Sequence, residues 1–418
     1  MKAVGITAEY NPLHNGHIYH ISRAKELSGC DAAVVAMSGD FVQRGAPAVM
    51  DKWTRAEHAL ECGADLVIEI PALHCLGNAG QYAAAGVRLL EAAGVSCISF
   101  GSETGDAEAL ISTAGFLKEH GSEIDDLISV YARRGLSYPA ARVKAYEELG
   151  GSREGISILS NPNDTLAAEY IMSMEKAQPV PVKREGAGYN DTSEKGLRFM
   201  SATGIRELLS IGSGIYGRSC RERIAEFVPE CVIRDVPGAD ELSERETRLF
   251  DLVRYALMTT PAEAIDDCPS GGEGLGNLLR AEARKAEDLD DLILRTKSRR
   301  YTYTRISRLC MQVLLGITRE KHHDAPDQPG YIRVLGFTEK GHSLLAGIKK
   351  GKGAAFSADT ENHEKAAVIT NINKERSLIS GSPESLLNLD IHASDLYSLI
   401  TGGSVYDLSD YRQSVRFL

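Results

Sequence analysis

Four short apolar runs restrict this chain more than any other feature. Met1–Ala8 (MKAVGITA), Asp31–Met37 (DAAVVAM), Asp65–Ile70 (DLVIEI) and Val95–Phe100 (VSCISF) are bounded by glycine, proline or polar turn residues, and each has the length of a strand. Helical apolar spacing fills the intervals at His17–Leu27, Lys52–Cys62 and Gly80–Ala93. In the second of these, Lys52 and Arg55 share a face. This alternation predicts a parallel sheet with right-handed crossovers and its chemistry at the carboxyl ends of the strands. A helical stretch from Ala107 to about Gly150, interrupted at Gly135 and Pro139, and a last strand at Pro179–Lys183 complete the unit.

A chain of 418 residues exceeds one ordinary core, so more than one domain is expected. The reading is an α/β protein. Residues 1–212 form a Rossmann-like parallel-sheet domain, 213–325 a mainly helical region, and 326–418 a small C-terminal α/β domain in which alternation resumes at YIRVLGF, GAAFSA and AAVITNI. With 43% hydrophobic and 25% charged residues the chain reads as globular. No run approaches the roughly 18 apolar residues of a membrane span, so a cytoplasmic protein with no membrane partner is expected. The eight cysteines lie singly, which argues against disulfides and structural zinc. A net charge of −11 argues against general nucleic-acid affinity and no DNA partner is expected, so RNA binding requires a local basic cluster.

The first strand runs into GITAEYNPLHNGHIYH, where Asn11, Pro12, Asn15 and Gly16 are turn formers and His14 and His17 stand three apart at the start of a helix. A helix N-terminus presents unpaired N–H groups and partial positive charge, both suited to phosphate. Two histidines at this spacing are by themselves compatible with a simple cap. Their place directly after a buried strand points to phosphate chemistry.

The tetrad His14-Asn15-Gly16-His17 resembles the HxGH motif of the nucleotidylyltransferase superfamily. Its flanks AEYNPLHNGH, SGDFVQRGAPAVMDKWTRAEHAL, GADLVIEIP and FGSE, with SNPNDTLAAEY, KREGAGYND, FMSATGIREL and RRYTYTRISR, are similar to the tRNA(Met) cytidine acetate ligases over most of the chain. The resemblance implies ATP as substrate, with magnesium arriving on it, and acetate and elongator tRNA(Met) as partners. It also implies acetyl transfer, through acetyl-adenylate, to the wobble cytidine. It assigns Thr7, Ala8, Glu9, Tyr10, Asn11, Pro12, Leu13, His14, Asn15, Gly16 and His17 to ATP, with Asn163 and Arg184. His20, one turn on, is a third donor or else a solvated face residue, and Gly101 ends a strand where a side chain would block an adenosine, or else is only a turn. Ser201 and Thr203 match the second motif of the superfamily, where a hydroxyl at a helix N-terminus and a following arginine, here Arg206, hold the outer phosphates; Ala202 departs from the commoner pattern. His14 and His17 are the catalytic candidates. Asp40 joins them as an acid near the triphosphate, or else serves as a turn cap in Ser38-Gly39-Asp40.

Arg295 to Arg308 (RTKSRRYTYTRISR) carries six basic residues, two tyrosines and no acid. Basic residues interleaved with aromatics suit unpaired RNA, so Lys297, Arg299, Arg300, Tyr301, Arg305 and Arg308 are tRNA-binding candidates, against the alternative of a solvated helix face. Two other functions fit the HxGH loop: adenylyl transfer to a small phosphorylated metabolite, and nucleotide-gated RNA binding without chemistry. Half of the chain lies beyond the first domain, which disfavours the former; both histidines are present, which disfavours the latter.

Overall fold

The protein, seen in a computed structural model, is described over residues 1–184, 199–211, 219–272, 274–298, 301–326, 328–350 and 366–418. Its strands are β1 (Ala3–Ala8), β2 (Ala32–Ser38), the hairpin pair β3 (Phe41–Val42) and β4 (Ala46–Pro47), β5 (Leu66–Ile70), β6 (Cys97–Ser102), β7 (Gln178–Lys183), β8 (Tyr331–Phe337), β9 (Ala367–Ile369) and β10 (Arg416–Phe417). The main sheet runs β10-β8-β5-β2-β1-β6-β7, with β9 paired to β8. From β5 through β7 every pairing is parallel, and Ile6 at its centre lies opposite Val35 and Ser99.

The strands read as continuous apolar runs because both faces of the sheet are covered. Alternate residues of β2 go to opposite sides: Ala33, Val35 and Met37 meet Ile21, Ala24 and Trp53 of helices Asn15–Ser28 and Lys52–Glu61. Ala32, Val34 and Ala36 meet Tyr82, Val87 and Leu90 of helix Ala79–Ala92. Between β6 and β7 the chain forms five helices with a small core of their own around Tyr146.

The terminal segment keeps its α/β character, but its strands extend the first sheet instead of forming a separate one. β8 lies antiparallel to β5, with Leu66 opposite Phe337 and Ile68 opposite Val334. The GAAFSA run lies outside the described residues. Helices Ala239–Thr259, Tyr303–Leu314 and Ser382–Thr401 share a further core of Leu249, Val253, Ile306, Leu309, Leu387 and Leu396. Helix Tyr303–Leu314 docks on the β3–β4 hairpin, where Ser307 Oγ donates to the Gly45 carbonyl at 2.7 Å. All eight cysteines are free. Among the described residues no helix is long and apolar enough to cross a membrane.

Polar groups also hold the segments together. Lys52 Nζ, fully buried, donates to Glu69 at 2.8 Å and to Asp410 at 2.7 Å. Asp390 of the C-terminal helix accepts from Tyr331 Oη at 2.6 Å and from the Ala72 N–H at 2.7 Å. A buried charge without a partner costs several kcal/mol, so these pairings tie the last thirty or so residues to the first seventy.

Candidate active site

At the end of β1 the chain turns through Tyr10, which holds a left-handed backbone (φ 47°) with its ring buried against His17, centroids 4.9 Å apart. A non-glycine residue in that region is strained and persists only where its surroundings impose it. Helix Asn15–Ser28 then begins with His14 as its N-cap. The His14 ring accepts from the Gly16 N–H at Nδ1, 3.1 Å, and the His17 ring accepts from the His14 N–H at Nδ1, 3.2 Å. The two rings stack with centroids 3.7 Å apart. A side chain on Gly16 would come within 3.0 Å of the His14 ring, so glycine is what lets the ring fold back over the helix start.

This capping decides the tautomers. A neutral imidazole that accepts at Nδ1 carries its proton on Nε2, so both rings offer Nε2–H donors beside the helix N-terminus. Burial, reinforced by the Arg184 and Arg206 guanidinium groups, holds His14 down to about 3. Burial and then the neighbouring His14, His20 and Arg184 hold His17 well below its ordinary value. Burial and Arg184 hold His20 at about 4, and its Nε2 lies 3.0 Å from Ser99 Oγ on β6. At neutral pH the site therefore combines uncharged imidazoles with neighbouring guanidinium charge, a setting that favours an incoming polyphosphate.

The loop is braced from several sides. Asn15 receives the chain at 224–228, its N–H donating to the Phe227 carbonyl and its amide to the Glu226 carbonyl. Asn11 Oδ1 accepts from the Val49 N–H at 2.8 Å. Arg55, fully buried, donates to the Glu9 carbonyl at 2.6 Å, to Ser38 and Met50 at 3.1 and 2.9 Å, and to Gly39. It thereby joins the ends of β1 and β2. Glu9 accepts from the Gln43 N–H at 3.0 Å; burial pushes its carboxyl up, against the opposing charges of Arg44 and Arg206.

Helix Ala202–Ser210 brings the second motif to the first. Ser201 caps it, accepting from the Gly204 N–H at 3.1 Å, and Arg206 donates to the Asn11 carbonyl at 2.6 Å and to Thr203 Oγ1 at 3.2 Å. On the other flank, Arg184 begins at the end of β7 with its N–H on the Ser102 carbonyl, and its side chain lies alongside Gly101. Asn163 is held by Glu103, which accepts from its N–H at 3.2 Å and its amide at 2.5 Å. Thus the end of β1 lies close to Arg184 after β7 and to Arg206 of the helix capped by Ser201, while His20 reaches Ser99 on β6.

Asp40 has surroundings different from those expected of an acid facing a triphosphate. It is buried, with one oxygen accepting from the Lys52 N–H and the other from Ser394 Oγ, both at 2.8 Å, so its partners are distant segments and not the amides of its own turn. Of the basic segment, Lys297 is exposed and Tyr301 is half-buried with Arg305 over its ring at 5.0 Å. Arg305 donates to the Ser270 and Gly271 carbonyls, and Arg308 to the Gln43 carbonyl at 3.4 Å. Arg299 and Arg300 lie outside the described residues.

Sequence reasoning missed Asp164 and Ser99. Asp164, fully buried, accepts from Ser102 Oγ and from the Glu103 and Thr104 N–H groups, and so shapes the turn after β6. Its only mark in the sequence is an acid two residues beyond a proline at a helix start. Among the described residues no three His, Cys, Asp or Glu side chains come together as a metal cage.

A parallel sheet with stacked, Nε2-protonated imidazoles at its first strand-to-helix junction, and a serine-capped helix facing them, defines a nucleotidyltransferase. A family profile described as HIGH Nucleotidyl Transferase matches residues 1–410. The tRNA(Met) cytidine acetate ligase of Clostridium novyi is 34% identical over all of both chains, and that of Caldanaerobacter subterraneus is 35% identical over 96% of this chain and 95% of its own. The crystal structure of Thermotoga maritima TmcAL bound with alpha-thio ATP matches at TM-score 0.84 and 30% identity, covering 100% of each chain. The chain belongs to the tRNA(Met) cytidine acetate ligase family of HIGH nucleotidyltransferases.

Proposed function

We propose that this protein activates acetate with ATP and transfers the acetyl group to the wobble cytidine of elongator tRNA(Met), forming N4-acetylcytidine in the cytoplasm. The observation that carries the reading is the pair of Nδ1 caps, which leaves His14 and His17 as neutral Nε2–H donors at a helix N-terminus. An acetate oxygen attacks the α-phosphorus, the bond to the bridging oxygen breaks, and pyrophosphate leaves. Charge grows on the phosphoryl oxygens in that transition state, and fixed donors stabilise it without reorganising. His14 and His17 serve the α-phosphate, while Ser201, Thr203 and Arg206 hold the outer phosphates. Magnesium enters on the triphosphate and keeps most of its waters. In the second step the cytidine amine attacks the acetyl carbon and AMP departs, with the proton of the amine lost to solvent. The segment from Lys297 to Arg308 contributes to holding the tRNA.

The test is mass spectrometry of nucleosides from tRNA incubated with the protein, ATP and isotope-labelled acetate. The expected product is a labelled acetylcytidine from the anticodon of the methionine elongator. Pyrophosphate release that depends on a phosphorylated metabolite and not on acetate would overturn the reading.

A further inference from the structure

On the side of the molecule where the basic segment lies, a cleft of about 640 Å³ separates two stretches far apart in sequence. One wall is Lys297, Ser298, Thr302, Tyr303 and Thr304, and the other is the turn at Gly135 and Ser137 between helices Gly121–Arg133 and Tyr138–Glu148. We infer that this cleft is an RNA-binding groove and that the turn from Arg133 to Tyr138 is its second wall. The inference rests on the reading of tRNA as substrate and adds where a stem-loop is gripped.

Among the described residues no acidic side chain lines the cleft, although the chain as a whole carries a net charge of −11. Hydroxyls line both walls, suited to phosphate oxygens and to the 2′-hydroxyl of RNA, and Lys297 is exposed. The turn adds Arg133 and Arg134, both exposed, the latter 5.6 Å over the Tyr131 ring. Two tyrosines present ring surface, Tyr138 at 59% exposure and Tyr303 at 38%. Four nearby carboxylates are engaged: Asp290 takes the Tyr303 hydroxyl, Asp291 pairs with Arg295 at 2.7 Å, Asp288 caps helix Leu289–Thr296, and Glu148 takes the Tyr131 hydroxyl, while Asp125 also lies near Tyr138. Cations at the rim of a groove with hydroxyl and aromatic walls match a strand that offers phosphates and unstacked bases.

The experiment compares the full-length protein with Arg133→Ala/Arg134→Ala and with Tyr138→Ala, using fluorescence anisotropy of a labelled RNA stem-loop of the methionine anticodon arm over a salt series. The arginine pair should weaken binding about tenfold and make the salt slope shallower by about 1.4, from roughly 0.7 per lost contact to single-stranded phosphate. Tyr138→Ala should weaken binding with little change in slope. Acetate-dependent pyrophosphate release without RNA should be unchanged in all three proteins, which shows that they fold. Wild-type affinity and slope in the arginine variant would overturn the groove and leave the functional reading standing. A wild-type protein that does not bind the stem-loop would overturn both.

Discussion

Lys52 and Asp410 stand 358 positions apart and meet as an ion pair in which neither side chain is exposed, Nζ 2.7 Å from Oδ2. Glu69 completes the triad, and burial pushes its carboxyl up even beside the ammonium. Replacing one partner strands the others, so Lys52→Met should cost about 3–5 kcal/mol of unfolding free energy by chemical denaturation. Neutralising Glu69 and Asp410 in the same variant should recover most of it. A loss below about 1 kcal/mol in the single variant would show that the interior accommodates the bare carboxylates.

His17→Ala should reduce acetate-dependent pyrophosphate release by about 100- to 1000-fold, because a fixed donor to the transition state is lost. The ring lies half-buried in the first turn of its helix beside Tyr10, so the loss of turnover should far exceed the loss of stability seen in the thermal midpoint. Turnover within a few-fold of wild type would remove His17 from the reaction.

The histidines also set a pH dependence. Folded His14 and His20 are held at about 3 and 4, against 6.5 in the unfolded chain. Below about pH 6.5 the unfolded state binds more protons, so stability falls as pH drops towards 4. His20→Gln should flatten that limb of the stability curve, and an unchanged slope would contradict the assignment. The charge of ATP favours the protonated rings, so ATP binding at pH 5.5 should take up protons. Calorimetry in buffers of different ionisation enthalpy reads this directly.

Asp164→Ala leaves Ser102 Oγ and two N–H groups without their acceptor at a buried turn. The cost should be about 1–3 kcal/mol for each group left unpaired. Because Gly101 stands at the end of the strand that leads into that turn and Glu103 lies in it, KM for ATP should rise more than kcat falls. An unaltered KM would separate the turn from the nucleotide.

Gly45 has φ 86°, and a side chain there would overlap the backbone of Ser307 and Arg308. Gly45→Ala should lose at least about 1–2 kcal/mol from the left-handed backbone alone, with the overlap adding to it. A denaturation midpoint equal to wild type would mean that helix Tyr303–Leu314 does not depend on this contact.

The strands were legible because burial on both faces leaves continuous apolar runs, and the helix after the first strand was legible too, although it starts at Asn15 and not at His17 because His14 caps it. The pairing of β5 with β8 was not. YIRVLGF reads as a strand, but an antiparallel partner more than 250 positions away leaves no local trace. That Arg305 and Arg308 donate to protein carbonyls was not legible either, because sequence cannot distinguish a guanidinium facing only water from one that also meets the backbone of a distant loop. Asp40 suffered the same ambiguity: its partner Ser394 comes from a helix at the other end of the chain.

The joining of β8 and Asp410 to the first sheet also bears on synthesis. A ribosome adding about 5–20 residues per second emits Asp410 roughly 20–70 s after Lys52, so the ammonium spends that interval without its final partner. The N-terminal half can collapse around its apolar strands in the meantime, but the loop at Asp40 still lacks Ser394 and the sheet still lacks an edge. A fragment ending near residue 212 would preserve that unfinished state indefinitely. The sheet is thus encoded first and completed last.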